Sequence, residues 1–235
     1  MNKLNILFSE TALELMPIPL QSNGMILDEA KKRHVKVGNT LLDSNKHHIP
    51  MHILPNFEKR GRPDILHFSL LTALESIVNK EGKLGKILSH TQADVLLEIR
   101  NETRLPRIYN RFVGIIEQAL SGGKNEFISI KPNTSFEVSL EAAMEGSKKP
   151  SIYFFNEFGK ETKLMELGKM LKEDMENDLH VLFVFGCFPH GNFSDETRNL
   201  LLKKGAKEIR LSKEILPVWT LVSSAINTYG LEAGL

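Results

Sequence analysis

The sequence predicts an α/β protein built on a largely parallel sheet. Three apolar runs, LNILF (4–8), SIYFF (151–155) and HVLFVFG (180–186), are short and bounded by turn formers, as buried strands are when both faces of a sheet are covered. Segments of helical periodicity separate them, and strand followed by helix, repeated, is the order that yields a parallel sheet flanked by helices. At 235 residues and 41% hydrophobic, the chain has ample material for a core, in one large domain or two small ones.

Taken in order, MNKLNILFSE leads into the first strand without the layout of a signal peptide. Residues 21–56 are polar and bounded by prolines, an insertion for which no element is predicted. Pro63 suits the first turn of a helix over 64–78, where Ile65, Phe68, Leu71, Leu74 and Val78 recur at helical spacing. KLGKILSHTQADVLLEIR (83–100) reads as two strands around a polar turn. Pro106 opens a further helix that runs to about Leu120, with Ile108, Phe112, Ile115 and Ala119 as its apolar stripe. KLMELGKMLKEDM (163–175) and PVWTLVSSAINTYG (217–230) are helical in the same way, and IRLSKEILPVWT (209–220) is strand, short loop and helix. No internal repeat or low-complexity tract interrupts this order, and no apolar run approaches the length of a membrane span.

Charge narrows the function. Lys+Arg of 30 against Asp+Glu of 29 gives a net charge of +1, so no overall basic field attracts a polyanion and any such site must be a local cluster. RNETRLPRIYNRF (100–112) is one, with four arginines in thirteen positions. Arg107 and Arg111 fall one helical turn apart, Arg104 sits just before the predicted helix, and a helix N-terminus adds its own preference for anions. Planar guanidiniums suit phosphates, which they can pair through two oxygens at once. The same residues also fit a solvated face on which Glu98, Glu102 and Glu117 are salt-bridge partners. A second basic stretch, EKRGRPDI (58–65), sets Lys59, Arg60 and Arg62 around Gly61, followed by Pro63 and Asp64. Asp64 is either a first-turn acid that complements the helix dipole or a carboxylate held beside arginines to orient or deprotonate a substrate group.

The remaining candidates lie near strand ends. FGCFPHGNF (185–193) follows an apolar strand, at the edge where open α/β sheets bind ligands. It carries neither a phosphate-loop lysine nor a GxGxxG fingerprint, which disfavours ATP, GTP and NAD. Trp219, within IRLSKEILPVWT, serves a core role or a ligand contact. The single cysteine, Cys187, rules out an intrachain disulfide and a multi-cysteine zinc site and suits a reducing compartment. Histidines 47, 48 and 52 lack carboxylates or cysteines at ligand spacing, so no metal is expected.

RGRPD with its helix, ETRLPRIYNRFVG, GCFPHG and LSKEILPVWT occur in an order that resembles the ribosome-biogenesis family of N1-specific pseudouridine methyltransferases, archaeal in type, over almost the whole chain. This family, also called nucleolar-essential or essential-for-mitotic-growth, belongs to the SPOUT class. The resemblance implies a single SPOUT-like domain over 1–235, with 21–56 as an insertion, 83–100 as a β-hairpin extension and 150–235 as a cofactor-binding region tied in a trefoil knot. It implies S-adenosylmethionine as cofactor, a homodimer, and a hairpin loop of small-subunit ribosomal RNA as partner, with no membrane and with a cytoplasmic location, or a nucleolar one in a eukaryote.

Position by position, it implies that Arg60, Arg62, Arg104, Arg107 and Arg111 contact RNA and that Asp64, with Arg62, lies at the target base. Phe155, Asn156, Gly186, Gly191 and the segment Leu211, Ser212, Lys213, Glu214, Ile215 and Leu216 would enclose the cofactor. Family members commonly carry two glycines before the Phe-Pro; here Cys187 replaces the second. Pseudouridine leaves ring nitrogen N1 bearing a hydrogen, whereas in uridine that nitrogen holds the sugar, so the acceptor chemistry itself discriminates. Tyr109 or Phe112 is placed to stack on a base, although Phe112 fits the core stripe better. Two rival readings use the same residues: an RNA-binding assembly factor whose methyl transfer is secondary, and a methyltransferase for another RNA position.

Overall fold

The computed structural model describes residues 3–147 and 149–235. Its first apolar run becomes β1 (Leu4–Thr11), buried at every position, as befits a strand covered on both faces. The predicted insertion folds into two short helices, α1 (Gly24–Lys32), capped by the side chain of Asn23, and α2 (Ser44–Met51), capped by Asp43. Met16, Leu20, Ile26, Leu42, Met51 and Leu54 give this region a small core of its own. It is fastened to the rest by Glu117, 6% exposed, which accepts from Arg33 Nη1 at 3.0 Å and from the Leu41 amide at 2.9 Å.

Helix α3 (Pro63–Leu74) starts at Pro63 as predicted, but ends at Leu74, and a separate turn, α4 (Ile77–Lys80), follows with Ser76 as its cap. Its buried face is Ile65, Leu66, Leu70, Ala73 and Leu74, while Phe68 is 48% exposed. Apolar residues occur nearly all round this helix, so spacing alone cannot select the stripe.

Strands β2 (Leu84–Thr91) and β3 (Leu96–Ile99) form the predicted antiparallel hairpin. Because β2 also pairs in parallel with β1, the hairpin is continuous with the main sheet rather than an extension from it. Helix α5 (Tyr109–Leu120) begins three residues later than Pro106 predicts, with Ile108 at its cap and 58% exposed; the buried stripe is Phe112, Val113, Ile116 and Ala119. Neither β4 (Ile128–Lys131), which pairs antiparallel with β3, nor α6 (Phe136–Met144) is predicted. The strand is short, half polar and lies at the sheet edge, so it lacks the apolar run on which strand prediction rests.

The C-terminal part alternates regularly: β5 (Pro150–Glu161), α7 (Leu164–Glu176), β6 (His180–Gly186), α8 (Asp195–Lys203), β7 (Lys207–Arg210) and α9 (Val218–Glu232). One sheet of seven strands results, ordered β4-β3-β2-β1-β6-β5-β7, with all but the pairings of β3 parallel. Alternate residues of each strand serve the two faces. Leu4, Ile6 and Phe8 join Tyr153, Phe155, Phe183 and Phe185 in the larger core, whereas Leu7 joins Phe154, Leu182 and Val184 on the other side. The ring of Phe155 stacks on that of Phe185 at 4.6 Å, which fixes the ends of two neighbouring strands. At the opposite end the buried Asp174 of α7 accepts from Ser151 and Tyr153 and pairs with Lys207 at 3.3 Å, tying β5 and β7 to one helix.

Candidate functional site

Parallel pairing brings the carboxyl ends of β5, β6 and β7 to one edge of the sheet, and there a cavity of about 650 Å3 opens. Phe155 and Asn156 line it from β5, Gly186 from the end of β6, Gly191 from the loop that follows, and the segment from Leu211 to Leu216 from the connection between β7 and α9. The ten residues singled out in the sequence as a cofactor set therefore share one cavity. Trp219 lines it too, while resting on Phe68 at 5.3 Å and partly on the larger core, so both of its readings describe the same side chain.

Local geometry explains the residue types. A Cβ on Gly186 would lie 2.8 Å from the Phe188 ring, and Gly191 has a φ of 78° and would place a Cβ 2.9 Å from the Lys59 side chain. Cys187, by contrast, points into the larger core, fully buried, with its amide donating to the Ser9 carbonyl and its carbonyl accepting from the Ala12 amide, both at 2.9 Å. Burial pushes its thiol well above the ordinary range. A side chain at this position thus leaves the cavity wall intact, and the departure from the glycine pair does not obstruct the site.

Asn156 was foreseen, but its supports were not. Its amide nitrogen donates to Glu208 Oε1 at 2.6 Å, and Glu208 in turn accepts a two-pronged pair from Arg198 at 2.8 and 2.7 Å. The Arg198 guanidinium, assisted by Asn156 and opposed by burial, holds the Glu208 carboxyl below its usual range. With its donor group occupied, Asn156 keeps its carbonyl oxygen for a ligand.

Arg62 lines the same cavity from the start of α3. Both prongs of its guanidinium pair with Asp64 at 2.8 Å, and this pairing raises the guanidinium above its ordinary value. Tyr109 is half-buried and donates to Asp43 Oδ2 at 2.8 Å, and Phe112 is fully buried, so the Phe112 ring is not free to stack on a base. Among the five candidate RNA contacts, Arg60 is held internally by Glu14 through bonds of 2.7 and 2.6 Å. Arg104, Arg107 and Arg111 are exposed, and no side-chain hydrogen bond or ion pair engages them among the described residues. The partners that a solvated salt-bridged face requires are occupied elsewhere: Glu98 pairs with Lys131 at 2.8 Å, Glu102 with Arg100 at 2.6 Å, and Glu117 with Arg33.

A residue that the sequence did not flag joins the two halves of this surface. His67 of α3 is 1% exposed, stacks on Phe112 at 4.3 Å, and lies 2.7 Å through Nε2 from the Pro106 carbonyl. A carbonyl only accepts, so Nε2 carries the proton, and the helix that carries Asp64 is thereby bonded to the segment that carries Arg104 and Arg107. Burial lowers the His67 pKa, opposed by the Pro106 bond and by Asp64. Burial likewise lowers His90, against Asp94, Thr134 and Glu10, and His180, where Lys86 adds to the effect. Each has one ring nitrogen buried without a partner, so protonation there would add an unpaired donor.

A pH dependence follows. All three folded values lie below the ordinary 6.5, so the unfolded chain binds more protons as pH falls through that value, and folding stability drops with it. The thermal midpoint should therefore be lower at pH 5 than at pH 7 and recover on neutralisation. A midpoint that rose on acidification over that range would contradict buried, neutral histidines.

The sequence model of the family described as EMG1/NEP1 methyltransferase matches residues 6–230. The "Ribosomal RNA small subunit methyltransferase Nep1" of Thermococcus onnurineus is 37% identical over 95% of this chain and 96% of its own. The protein so described from Staphylothermus marinus is also 37% identical, over 95% and 93%. Among solved structures, Archaeoglobus fulgidus Nep1 bound to S-adenosylhomocysteine superposes with a TM-score of 0.82 at 30% identity, each chain covered in full. Sheet order, cavity, and matches along nearly the whole sequence agree: the chain belongs to the EMG1/NEP1 methyltransferase family.

Proposed function

We propose that the protein transfers the methyl group of S-adenosylmethionine to ring nitrogen N1 of a pseudouridine in a hairpin loop of small-subunit ribosomal RNA, as a step of small-subunit biogenesis. One observation carries this reading: Arg62, bonded to Asp64, lines the cavity, and His67 joins the Asp64 helix to the free arginines, so that donor cavity and cationic surface adjoin. The Archaeoglobus relative binds S-adenosylhomocysteine, the demethylated form of the donor, and the cavity suits that molecule. Its volume is in the range of small-molecule sites. Phe188, Ile215 and Leu221 offer apolar wall to a purine, and the Asn156 carbonyl offers an acceptor to an amino or hydroxyl group.

S-Adenosylmethionine supplies a methyl on a sulfonium, and the chain's own residues supply geometry. Methyl transfer requires the acceptor in line with that methyl, and holding two reactants so is worth up to about 7 to 11 kcal/mol. Asp64 already accepts two N–H groups from Arg62, which leaves lone pairs for the N1–H of pseudouridine. Turning the base out of its loop costs a few kcal/mol, and guanidinium contacts to the flanking phosphates by Arg104, Arg107 and Arg111 offset it. Arg60 contributes by fixing the loop through Glu14.

Homodimer formation is part of the same reading, supported by the exposure of Phe158 and Ile215 at the cavity. So is the knot, supported by the placement of β5 between β6 and β7, and so is a cytoplasmic place of action. No helix among the described residues is long and apolar enough to cross a membrane.

The function is tested by incubating the protein with S-adenosylmethionine and a pseudouridine-containing small-subunit hairpin, digesting the RNA, and identifying the nucleosides by mass spectrometry. N1-methylpseudouridine is the expected product; a methyl at another position selects the sister reading of a different RNA methyltransferase, and tight binding without transfer selects the assembly factor. The cavity is tested separately. Gly186→Ala forces the Phe188 ring from its place, so calorimetry should show S-adenosylhomocysteine affinity reduced at least tenfold, and unchanged affinity would place the ligand elsewhere.

A further inference from the structure

Between the donor cavity and the arginine-bearing loop lies a cluster of contacts that neither site requires for its own chemistry. Lys59, one residue before Arg60, reaches out of its segment to donate to the carbonyl of Asn192, in the loop that carries Gly191. Its ammonium also lies over the Phe188 ring at 4.9 Å and 4.0 Å from Glu10 Oε2. Glu10 holds the far end of the same loop: Oε1 accepts from the amide of Ser194 at 2.8 Å and from its hydroxyl at 2.7 Å. To do so Glu10 takes a φ of 50°, a conformation that non-glycine residues rarely adopt, and is 8% exposed. Gln92, from the turn between β2 and β3, donates to the carbonyls of both Glu10 and Lys59, at 3.1 and 2.9 Å. The loop from Phe188 to Ser194 is thus clasped at both ends, and one jaw of the clasp belongs to the segment that continues into Arg62 and Asp64.

We propose that Lys59 is a positioning residue that couples the two sites, so that filling the donor cavity and binding RNA each favour the other. The inference rests on the function proposed above. A donor molecule that orders the Phe188–Ser194 loop fixes the acceptor of the Lys59 bond, and a fixed Lys59 holds the turn that presents Arg62 and Asp64. Energetic coupling of this kind is reciprocal: the factor by which one ligand tightens the second equals the factor by which the second tightens the first.

The test measures hairpin affinity with and without saturating S-adenosylhomocysteine, and S-adenosylhomocysteine affinity with and without saturating hairpin. Wild type should show the same ratio in both directions, about fivefold or more. Lys59→Met, which keeps length and removes the donor, should bring both ratios close to one even if the separate affinities also change, and Lys59→Arg should retain them. A merely structural lysine would lower the thermal midpoint and leave the ratios alone. Wild-type ratios of one with both ligands bound, or wild-type ratios preserved in Lys59→Met, would overturn the coupling. If Lys59→Met does not fold, the wild-type ratios and Lys59→Arg still decide. Failure of either ligand to bind wild type would instead overturn the proposed function, and so the two failures are distinct.

Discussion

Replacement of Arg104, Arg107 and Arg111 together by alanine is expected to abolish hairpin binding while S-adenosylhomocysteine affinity and the thermal midpoint stay close to wild type. The three guanidiniums are exposed and unpaired among the described residues, so their removal strands no buried partner, and surface changes of this kind shift stability by about 0.5 kcal/mol or less each. Phosphate contacts release counterions, at a slope of about 0.7 per contact for single strands, so any residual binding should depend less steeply on salt by about two. Loss of folding in the triple variant would return these residues to a structural role. Retained binding with an unchanged salt slope would move the RNA to another face.

Asp64→Asn is expected to reduce turnover by about 100-fold or more with hairpin affinity changed by less than about threefold. The magnitude is the lower range for a positioned group that takes a proton in the transition state. Asparagine keeps the shape and one acceptor oxygen, so the helix start and one prong of the Arg62 pair survive. What it loses is the negative charge that, in the proposed reaction, accepts a proton as N1 attacks. Equal losses in turnover and affinity would make Asp64 a ground-state contact to the base, and no loss in either would leave it as the first-turn acid of α3 alone.

The parts of the fold legible in the sequence were those where burial is two-sided. β1, β5 and β6 contain the apolar runs 4–8, 151–155 and 180–186 because the sheet is covered on both faces there, and α7 and α9 carry apolar residues at helical spacing. β4 escapes because an edge strand of four residues, half polar, carries no such run. The start of α5 is misplaced by a different competition: Pro106 is compatible with a helix, but its carbonyl is taken by His67, and the helix waits until Tyr109.

The site divides in the same way. Most of its cavity residues sit in or beside RGRPD, GCFPHG and LSKEILPVWT, three of the motifs that carry the family resemblance, with Phe155 and Asn156 at the end of the SIYFF run, and the fold brings these segments to one edge. His67, Glu208 and Arg198 lie in no motif, and EKRGRPDI does not reveal what Lys59 bonds to, because each acts through a partner distant in sequence, from 10 residues away for the Arg198 pair to 133 for Lys59. A histidine in an apolar helix or a lysine in a basic stretch is ordinary until the chain is folded around it.

On the proposed function, the protein methylates a pseudouridine and leaves uridine alone. The most direct test is the transfer of labelled methyl from S-adenosylmethionine to two small-subunit hairpins, identical except that one carries pseudouridine where the other carries uridine. Label on the pseudouridine hairpin alone is the expected result, since only that base presents N1 with a hydrogen to the Asp64 carboxylate. Equal label on both, or label on neither while both bind tightly, would contradict it.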